Sequence, residues 1–192
     1  MINFKKLCQE IQDYDRAREL LIKKSRDVLK LSKQVIYAVH RDELNSVAKI
    51  ITEMEKEKKA LEQIAQHDPE MKSEGSYKLA LQEYAEALLY YQFMKTGELK
   101  ELNVGVDSFL LGLSDLTGEL VRKAVFLAGK GETIKVVEIK EEVDKIYGEL
   151  LKFDFRENEI RRKVDAVKYN LLKLEDLVLQ LKLKGRLLEK EE

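Results

Sequence analysis

The sequence predicts an all-α protein, and three observations carry that prediction. Apolar residues recur at helical spacing almost from end to end, whereas only a short run at 133–139 looks β-prone. One proline in 192 residues leaves few positions that would break a helix. A hydrophobic content of 44% is enough for a packed core, and the length suits a single domain over residues 1–192.

Six to seven helices can be placed along the chain, most of them long. The first covers about 3–40 and the second, rich in Lys and Glu, about 43–66. The segment 67–76, HDPEMKSEGS, holds the only proline and predicts a break. The apolar face of the first helix consists of residues at spacings of seven, three, four and three: Leu21, Val28, Leu31, Val35 and Ala38.

Four helices follow the break, over about 77–96, 107–128, 133–152 and 157–184. Glycines predict where three of them end, because glycine adopts the left-handed conformation that terminates a helix. These positions are Gly97, the segment Gly129-Lys130-Gly131, and Gly185. Asp107 is the predicted N-cap of the fourth helix.

Charge and cysteine content exclude some classes of protein. Charged residues make up 37%, but the formal net charge is −1, so any basic surface must come from local segregation of charge. The single cysteine, Cys8, excludes an internal disulfide and favours a reducing compartment. The N-terminus lacks an apolar signal segment, and no run of 18 apolar residues occurs. We therefore expect a soluble, cytoplasmic protein without a membrane partner.

Two apolar segments carry acidic pairs. In the third helix, LALQEYAEALLYYQFM contains only two charges, Glu83 and Glu86; in the fourth, FLLGLSDLTGELV contains only Asp115 and Glu119. Spacings of three and four place each pair on one helix face. If the two faces meet, four carboxylates converge, and their repulsion requires a cation. All-oxygen ligands favour Mg²⁺ or Mn²⁺, ions that support phosphoryl-transfer chemistry.

Salt bridging is the alternative interpretation of these acids. Acidic pairs are common on helices, so spacing alone favours it. The basic residues available as partners are Lys78, Lys95, Arg122 and Lys123. A di-iron site would instead need Glu-x-x-His pairs, and neither His40 nor His67 follows an acid at that spacing on these helices.

The strings around the acids carry a resemblance. LQEYAEALLYYQFMKTGEL together with DSFLLGLSDLTGELVRKAV resembles the translin family, and more specifically its Trax branch (translin-associated factor X). KKSRDVLKLSKQVIYAVHR and IRRKVDAVKYNLLKLEDLVLQLKLKG are also similar to it, in the right order. The resemblance covers about residues 15–186.

The resemblance implies an all-α subunit that assembles into a hollow barrel of roughly eight chains around single-stranded nucleic acid. In Trax, acids of these two motifs bind Mg²⁺ and catalyse RNA cleavage, whereas translin binds RNA without them. Carried over by motif, the catalytic and metal-binding residues here are Glu83, Glu86, Asp115 and Glu119. We therefore expect a Mg²⁺- or Mn²⁺-dependent endoribonuclease of single-stranded RNA, acting as a homo-oligomer. The alternatives are a non-catalytic translin-like protein that binds single-stranded RNA or DNA, and a purely structural assembly.

Two departures from Trax concern the surroundings of the acids. Trax has a histidine where Gln92 stands before Phe93, and its long insertion between the two motifs is reduced here to about 98–107. Neither departure removes an acid. A chain that combines the acids with a binding surface resembles a minimal homo-oligomeric version of the family, as in an archaeon.

Two basic segments are the predicted RNA-binding surfaces. The basic stripe lies on the first helix, opposite its apolar face, and consists of Lys23, Arg26, Lys30 and Lys33. The basic segment of the last helix, similar to one that translin-type proteins use for nucleic acid, consists of Arg161, Arg162, Lys163 and Lys168. Such residues neutralise phosphates, while Tyr37 or Tyr169 would stack on unpaired bases. Alternatively these are ordinary solvated faces, since Asp27 and Asp165 dilute the charge.

Overall fold

The computed structural model describes residues 2–66 and 68–185, and this part of the chain contains α-helices and no β-strand. The predicted all-α class is confirmed. The helices are α1 (Phe4–His40), α2 (Leu44–Gln66), a 3₁₀-helix (Pro69–Ser73), α3 (Gly75–Thr96), α4 (Val106–Lys130), α5 (Thr133–Leu150) and α6 (Asn158–Leu183). None of the helices in the described ranges is long and apolar enough to cross a membrane.

Most helix ends lie where local chemistry predicts them. Asn3 caps α1, because its side chain accepts a hydrogen bond from the N–H of Lys6 at 3.1 Å. α3 ends at Gly97, whose φ of +73° is the left-handed conformation that favours glycine. The N-cap prediction for Asp107 is wrong, since this residue lies inside the first turn of α4. The break at 67–76 contains the 3₁₀-helix, and His67 lies outside the described residues.

The β-prone run at 133–139 is helical, because its apolar residues are also spaced for a helix. Val136 and Ile139 lie three residues apart and are buried together with Val143 of the same helix. Packing of this face against α6 therefore overrides the local β-propensity.

The chain divides into two compact units, of which unit 1 is Met1–Phe109. Within it, α1 packs along both α2 and α3, and α2 also contacts the 3₁₀-helix. The predicted apolar face of α1 is confirmed, since all five of its residues are buried. His40, which the sequence placed at a helix terminus, is half-buried there, with its Nδ1 3.0 Å from the Tyr90 hydroxyl. This contact fixes the end of α1 to α3.

Unit 2 is Leu110–Glu192, and in it α5 packs against α6. Two polar contacts connect α6 to α4. Asn170 Nδ2 donates to Thr117 Oγ1 at 2.9 Å, and Lys163 Nζ donates to Asp115 Oδ1 at 2.5 Å. Both contacts reach the DLTGE string of α4, so α6 fixes that string. One domain over residues 1–192 stays a prediction.

Candidate functional site

The two acids of α3 lie on a helix that is buried on almost every side. Its buried residues occupy nearly every position from 80 to 90, instead of one face. Glu86 is only 8% exposed and Glu83 is half-buried, and neither acid is without a partner. An uncompensated carboxylate at such depth would cost several kcal/mol, roughly, or stay protonated. The partners of Glu86 must therefore offset the free-energy cost of burying its carboxylate.

A hydrogen-bonded tyrosine stands next to Glu83, and the sequence did not predict it. The Tyr84 hydroxyl donates to Glu55 Oε1 at 2.7 Å, and Lys58 Nζ lies 5.3 Å from the centroid of the Tyr84 ring. Burial, reinforced by the hydrogen bond to the Glu55 carboxylate, raises the pKa of Tyr84 above its ordinary value. The phenol thus remains a protonated donor that fixes α3 to α2. No sequence signal links two residues on different helices in this way.

The two acids of α4 each lie beside a basic side chain. The carboxylate of Asp115 pairs with Lys163 of α6, and the two side chains are 23% and 33% exposed. Glu119 Oε2 lies 3.6 Å from Nη1 of Arg122, whose side chain is largely exposed. Arg122 was among the salt-bridge partners suggested by the sequence, whereas Lys163 was assigned to RNA. Both acids of unit 2 therefore form ion pairs, as the salt-bridge interpretation expects, although only Arg122 was a partner that the sequence suggested.

Two other suggested partners contact aromatic rings. Lys95 Nζ donates to the Tyr91 hydroxyl at 3.0 Å. Lys123 is only 1% exposed, with its Nζ 5.3 Å from the centroid of Phe126, and it has further partners. A lysine at that depth must be compensated by neighbouring groups. Its burial was not evident from the sequence, where it follows another basic residue, Arg122.

The DLTGE string is held by a residue that sequence reasoning missed. The buried Thr117 donates to the carbonyl of Ser114 at 2.7 Å and accepts from Asn170. A Cβ atom on Gly118 would lie 3.7 Å from Asn170 Nδ2, an ordinary contact distance. No sequence signal pairs Asn170 of α6 with Thr117 of α4, which lie 53 positions apart.

The acids fit a hard divalent ion in donor type, since all four would offer carboxylate oxygens. Glu83 and Glu86 belong to unit 1, and Asp115 and Glu119 to unit 2. Within residues 2–66 and 68–185, no three His, Cys, Asp or Glu side chains form a group that could hold a metal ion. The Mg²⁺ or Mn²⁺ site stays a prediction.

The basic stripe of α1 lies on the exposed side of the helix, opposite the buried face, as the sequence indicated. None of its four residues forms an ion pair with a described residue. Tyr37 is 56% exposed, and the guanidinium carbon of Arg41 lies 5.6 Å from its ring centroid. No acid occurs from Val28 to Arg41. The C-terminal half of α1 thus presents a basic and aromatic surface.

The basic segment of α6 is engaged within unit 2 to a greater extent. Arg161 Nη2 donates to Asn158 Oδ1 at 2.5 Å, and Arg162 Nε donates to the Asn158 carbonyl at 3.3 Å. Lys163 pairs with Asp115, as described. Lys168 is exposed and has no polar contact in the described ranges. Of the two predicted surfaces, the stripe on α1 is therefore the more available to a phosphate.

The contact between Lys163 and Asp115 can be measured by a double-mutant cycle. Lys163→Met and Asp115→Asn, each alone, should lower the free energy of unfolding, and the pair should be coupled by about 1 kcal/mol, because both side chains are partly exposed. Urea unfolding in EDTA measures this without metal. A second cycle that combines Lys168→Met with Asp115→Asn is the control, and its two effects should be additive. Strictly additive effects of Lys163→Met and Asp115→Asn would contradict the contact.

The Translin family model matches residues 16–185, which contain both acidic motifs and both basic segments. The chain belongs to the translin family. It is 28% identical to the translin-associated protein X of Mus musculus, covering 96% of this chain and 79% of the mouse protein. It is 26% identical to the Schizosaccharomyces pombe homologue, over 77% of this chain and 68% of that protein. An uncharacterised protein of Methanocaldococcus jannaschii is 29% identical over 83% of this chain and 73% of its own.

Solved structures resemble this translin-family protein over nearly its whole length. The crystal structure of apo-NeC3PO superposes with a TM-score of 0.87 at 27% identity, covering 94% of this chain and 97% of that one. The structure of AfC3PO in complex with duplex RNA gives a TM-score of 0.75 at 22% identity, covering 95% and 98%. At 22% identity, the likeness to AfC3PO is evidence for the fold alone.

Proposed function

We propose that this translin-family protein is a Mg²⁺-dependent endoribonuclease that binds and cleaves single-stranded RNA as a homo-oligomer. The observation that carries the proposal is the complete acidic set at the two motif positions of α3 and α4. Among the four acids, Glu86 gives the strongest support. Burying a carboxylate in a helix that is packed on almost every side is costly, and a functional role as a metal ligand explains why an acid occupies this position. Similarity to translin-associated protein X from two organisms supports the same assignment.

In this proposal Glu83, Glu86, Asp115 and Glu119 hold Mg²⁺ or Mn²⁺. When bound, such an ion supplies the positive charge that stabilises a phosphodiester under attack. One of the three glutamates accepts the proton of the attacking water, a role for which a positioned carboxylate is suited. Lys163 orients Asp115 through their ion pair. The basic stripe of α1 holds the phosphate backbone, and Tyr37 stacks on an unpaired base.

The proposed activity is tested by incubating the purified protein with labelled single-stranded RNA, with Mg²⁺ and with EDTA. We expect internal cleavage with Mg²⁺ and none with EDTA. Duplex RNA of the same sequence should be cleaved more slowly, because a stacking side chain engages unpaired bases. Cleavage that persists in EDTA would contradict the metal dependence, and equal cleavage of the duplex would contradict the single-strand preference.

A non-catalytic protein that binds single-stranded RNA or DNA is the second candidate. The observation that favours it is that none of the four acids is without a partner, so each has a structural role available. Under this candidate, RNA binding falls with salt and no cleavage occurs with Mg²⁺ or Mn²⁺. A protein that neither binds nor cleaves RNA would be a purely structural assembly.

We expect the isolated protein to be a homo-oligomer of about eight chains of 22.4 kDa. Large apolar side chains remain exposed on both units, including Phe4, Ile11, Leu172, Leu179 and Leu183. Such surface is usually covered by another chain. Multi-angle light scattering at micromolar concentration measures the mass, and a monomer would exclude the assembly.

A further inference from the structure

The first turns of α1 lie outside the core of their own chain. Every residue from 2 to 13 is exposed, and the first buried residue of the helix is Leu21. Among the described residues, the first side chain of α1 that bonds to another element is Tyr14, whose hydroxyl donates to Glu74 Oε1 at 3.4 Å. Residues 4–13, which we call the α1 extension, thus form about 15 Å of helix that buries no residue in the described part of the chain.

The α1 extension nevertheless carries an apolar stripe. Phe4, Leu7 and Ile11 are all exposed, and spacings of three and four residues place them on one face of the helix. Leu7 lies two heptads before the buried Leu21, so the stripe continues the face that α1 buries in unit 1. Apolar residues at heptad spacing are typical of helices that pair with another helix. The pattern that packs α1 therefore continues past the point where its own chain covers it.

The charges of this part of α1 run from basic to acidic. Lys5 and Lys6 lie in the first turn, and the acids follow at Glu10, Asp13 and Asp15. Lys6 pairs with Glu10 at 3.4 Å, whereas Lys5 and Asp15 have no ion pair in the described ranges. Two antiparallel copies of this segment would place Lys5 of each beside Asp15 of the other. A parallel pair would bring like charges to the same level, which costs free energy.

We propose that the α1 extension is an interface with a second copy of this chain, in which the two extensions pack antiparallel about a two-fold axis. Leu7 of each copy then faces Ile11 of the other, Phe4 faces Tyr14, and the helix dipoles oppose each other. A segment that complements itself in both apolar pattern and charge fits another copy of itself. The pairing is one interface of the homo-oligomer in the proposed function, on which it rests.

Leu7→Glu tests the interface without touching the core. Leu20→Glu is the matched control, because Leu20 is also a leucine of α1, is also 48% exposed and lies off the stripe. Leu7→Glu places an unpaired carboxylate against Ile11 of the other copy. Multi-angle light scattering at micromolar concentration should therefore give it at most about half of the parent mass, since a closed two-fold contact is lost. Leu20→Glu should keep the parent mass.

Cys8 gives a second measurement on the unmodified stripe. It is exposed, it is the only cysteine of the chain, and it lies next to Leu7, close to the proposed two-fold axis. Helix axes about 8–10 Å apart would bring the two thiols within reach of a short bis-maleimide, so the native protein should give a covalent dimer. The control is Cys8→Ser with Gln9→Cys, which moves the thiol to the opposite side of the helix and should give much less dimer.

The outcomes separate this interface from the rest of the proposed function. A parent protein of monomer mass would overturn both the interface and the homo-oligomer. An oligomeric parent whose mass survives Leu7→Glu, or whose Cys8 gives no more dimer than the Gln9→Cys control, would overturn the interface alone. In that case a different chain or another surface of the protein covers the stripe. Neither measurement uses RNA, so both results are independent of the nuclease activity.

Discussion

Replacing Glu86 by glutamine is expected to lower the rate of RNA cleavage about a thousandfold, while the protein still folds and assembles. The amide keeps the shape of the side chain but removes the charge that a metal ligand needs. In the absence of metal, removing one of several clustered acids relieves repulsion, so the melting temperature should stay unchanged or rise. Cleavage assays in Mg²⁺ and thermal melting in EDTA, on the same preparation, measure both effects.

A structural role for Glu86 predicts the opposite pair of results. Removing one partner of a buried ion pair leaves the other charge uncompensated and costs about 3–5 kcal/mol. A Glu86→Gln protein that melts much earlier yet cleaves RNA normally would therefore exclude the metal site. Glu53→Gln, an exposed acid on α2, is the control and should change neither property. Asp115→Asn should also abolish cleavage, but it should lower the free energy of unfolding by about 1 kcal/mol, because it breaks the partly exposed ion pair with Lys163.

Reversing the charges of Lys30 and Lys33 together is expected to weaken binding of single-stranded RNA about 100-fold at low salt. The two residues are exposed and have no ion pair in the described ranges, so their ammonium groups are available to phosphates. The dependence of log affinity on log salt should also become shallower, by about 0.7 for each phosphate that the protein no longer neutralises. Fluorescence anisotropy over a series of salt concentrations gives both quantities.

The chain offers a matched control for this double reversal. Lys56 and Lys59 on α2 are also exposed and also three residues apart, but they lie among glutamates and not in an acid-free stretch. Lys56→Glu with Lys59→Glu makes the same change in net charge and should reduce affinity only slightly. Equal losses for the two double variants would mean that net charge, and not the basic stripe of α1, determines RNA binding.

Helix periodicity in the sequence determined the fold class and the exposed surfaces of this protein. The buried face of α1 and the basic stripe opposite it both follow from residues three or four positions apart, which a helix brings onto one side whatever it packs against. The acidic pairs are also local, because Glu83 and Glu86 share one helix, as do Asp115 and Glu119. Sequence reasoning could therefore name these residues and their helices.

Only the tertiary structure decided which groups on different helices meet. Asp115 pairs with Lys163, 48 residues away, and Tyr84 donates to Glu55, 29 residues away. Sequence reasoning assigned Lys163 to RNA binding because Lys163 lies in a basic cluster on its own helix. The spacing of residues along α6 does not reveal that an acid of α4 lies beside it. These contacts depend on how helices are packed, and packing is set by the whole buried surface instead of by the spacing of residues along one helix.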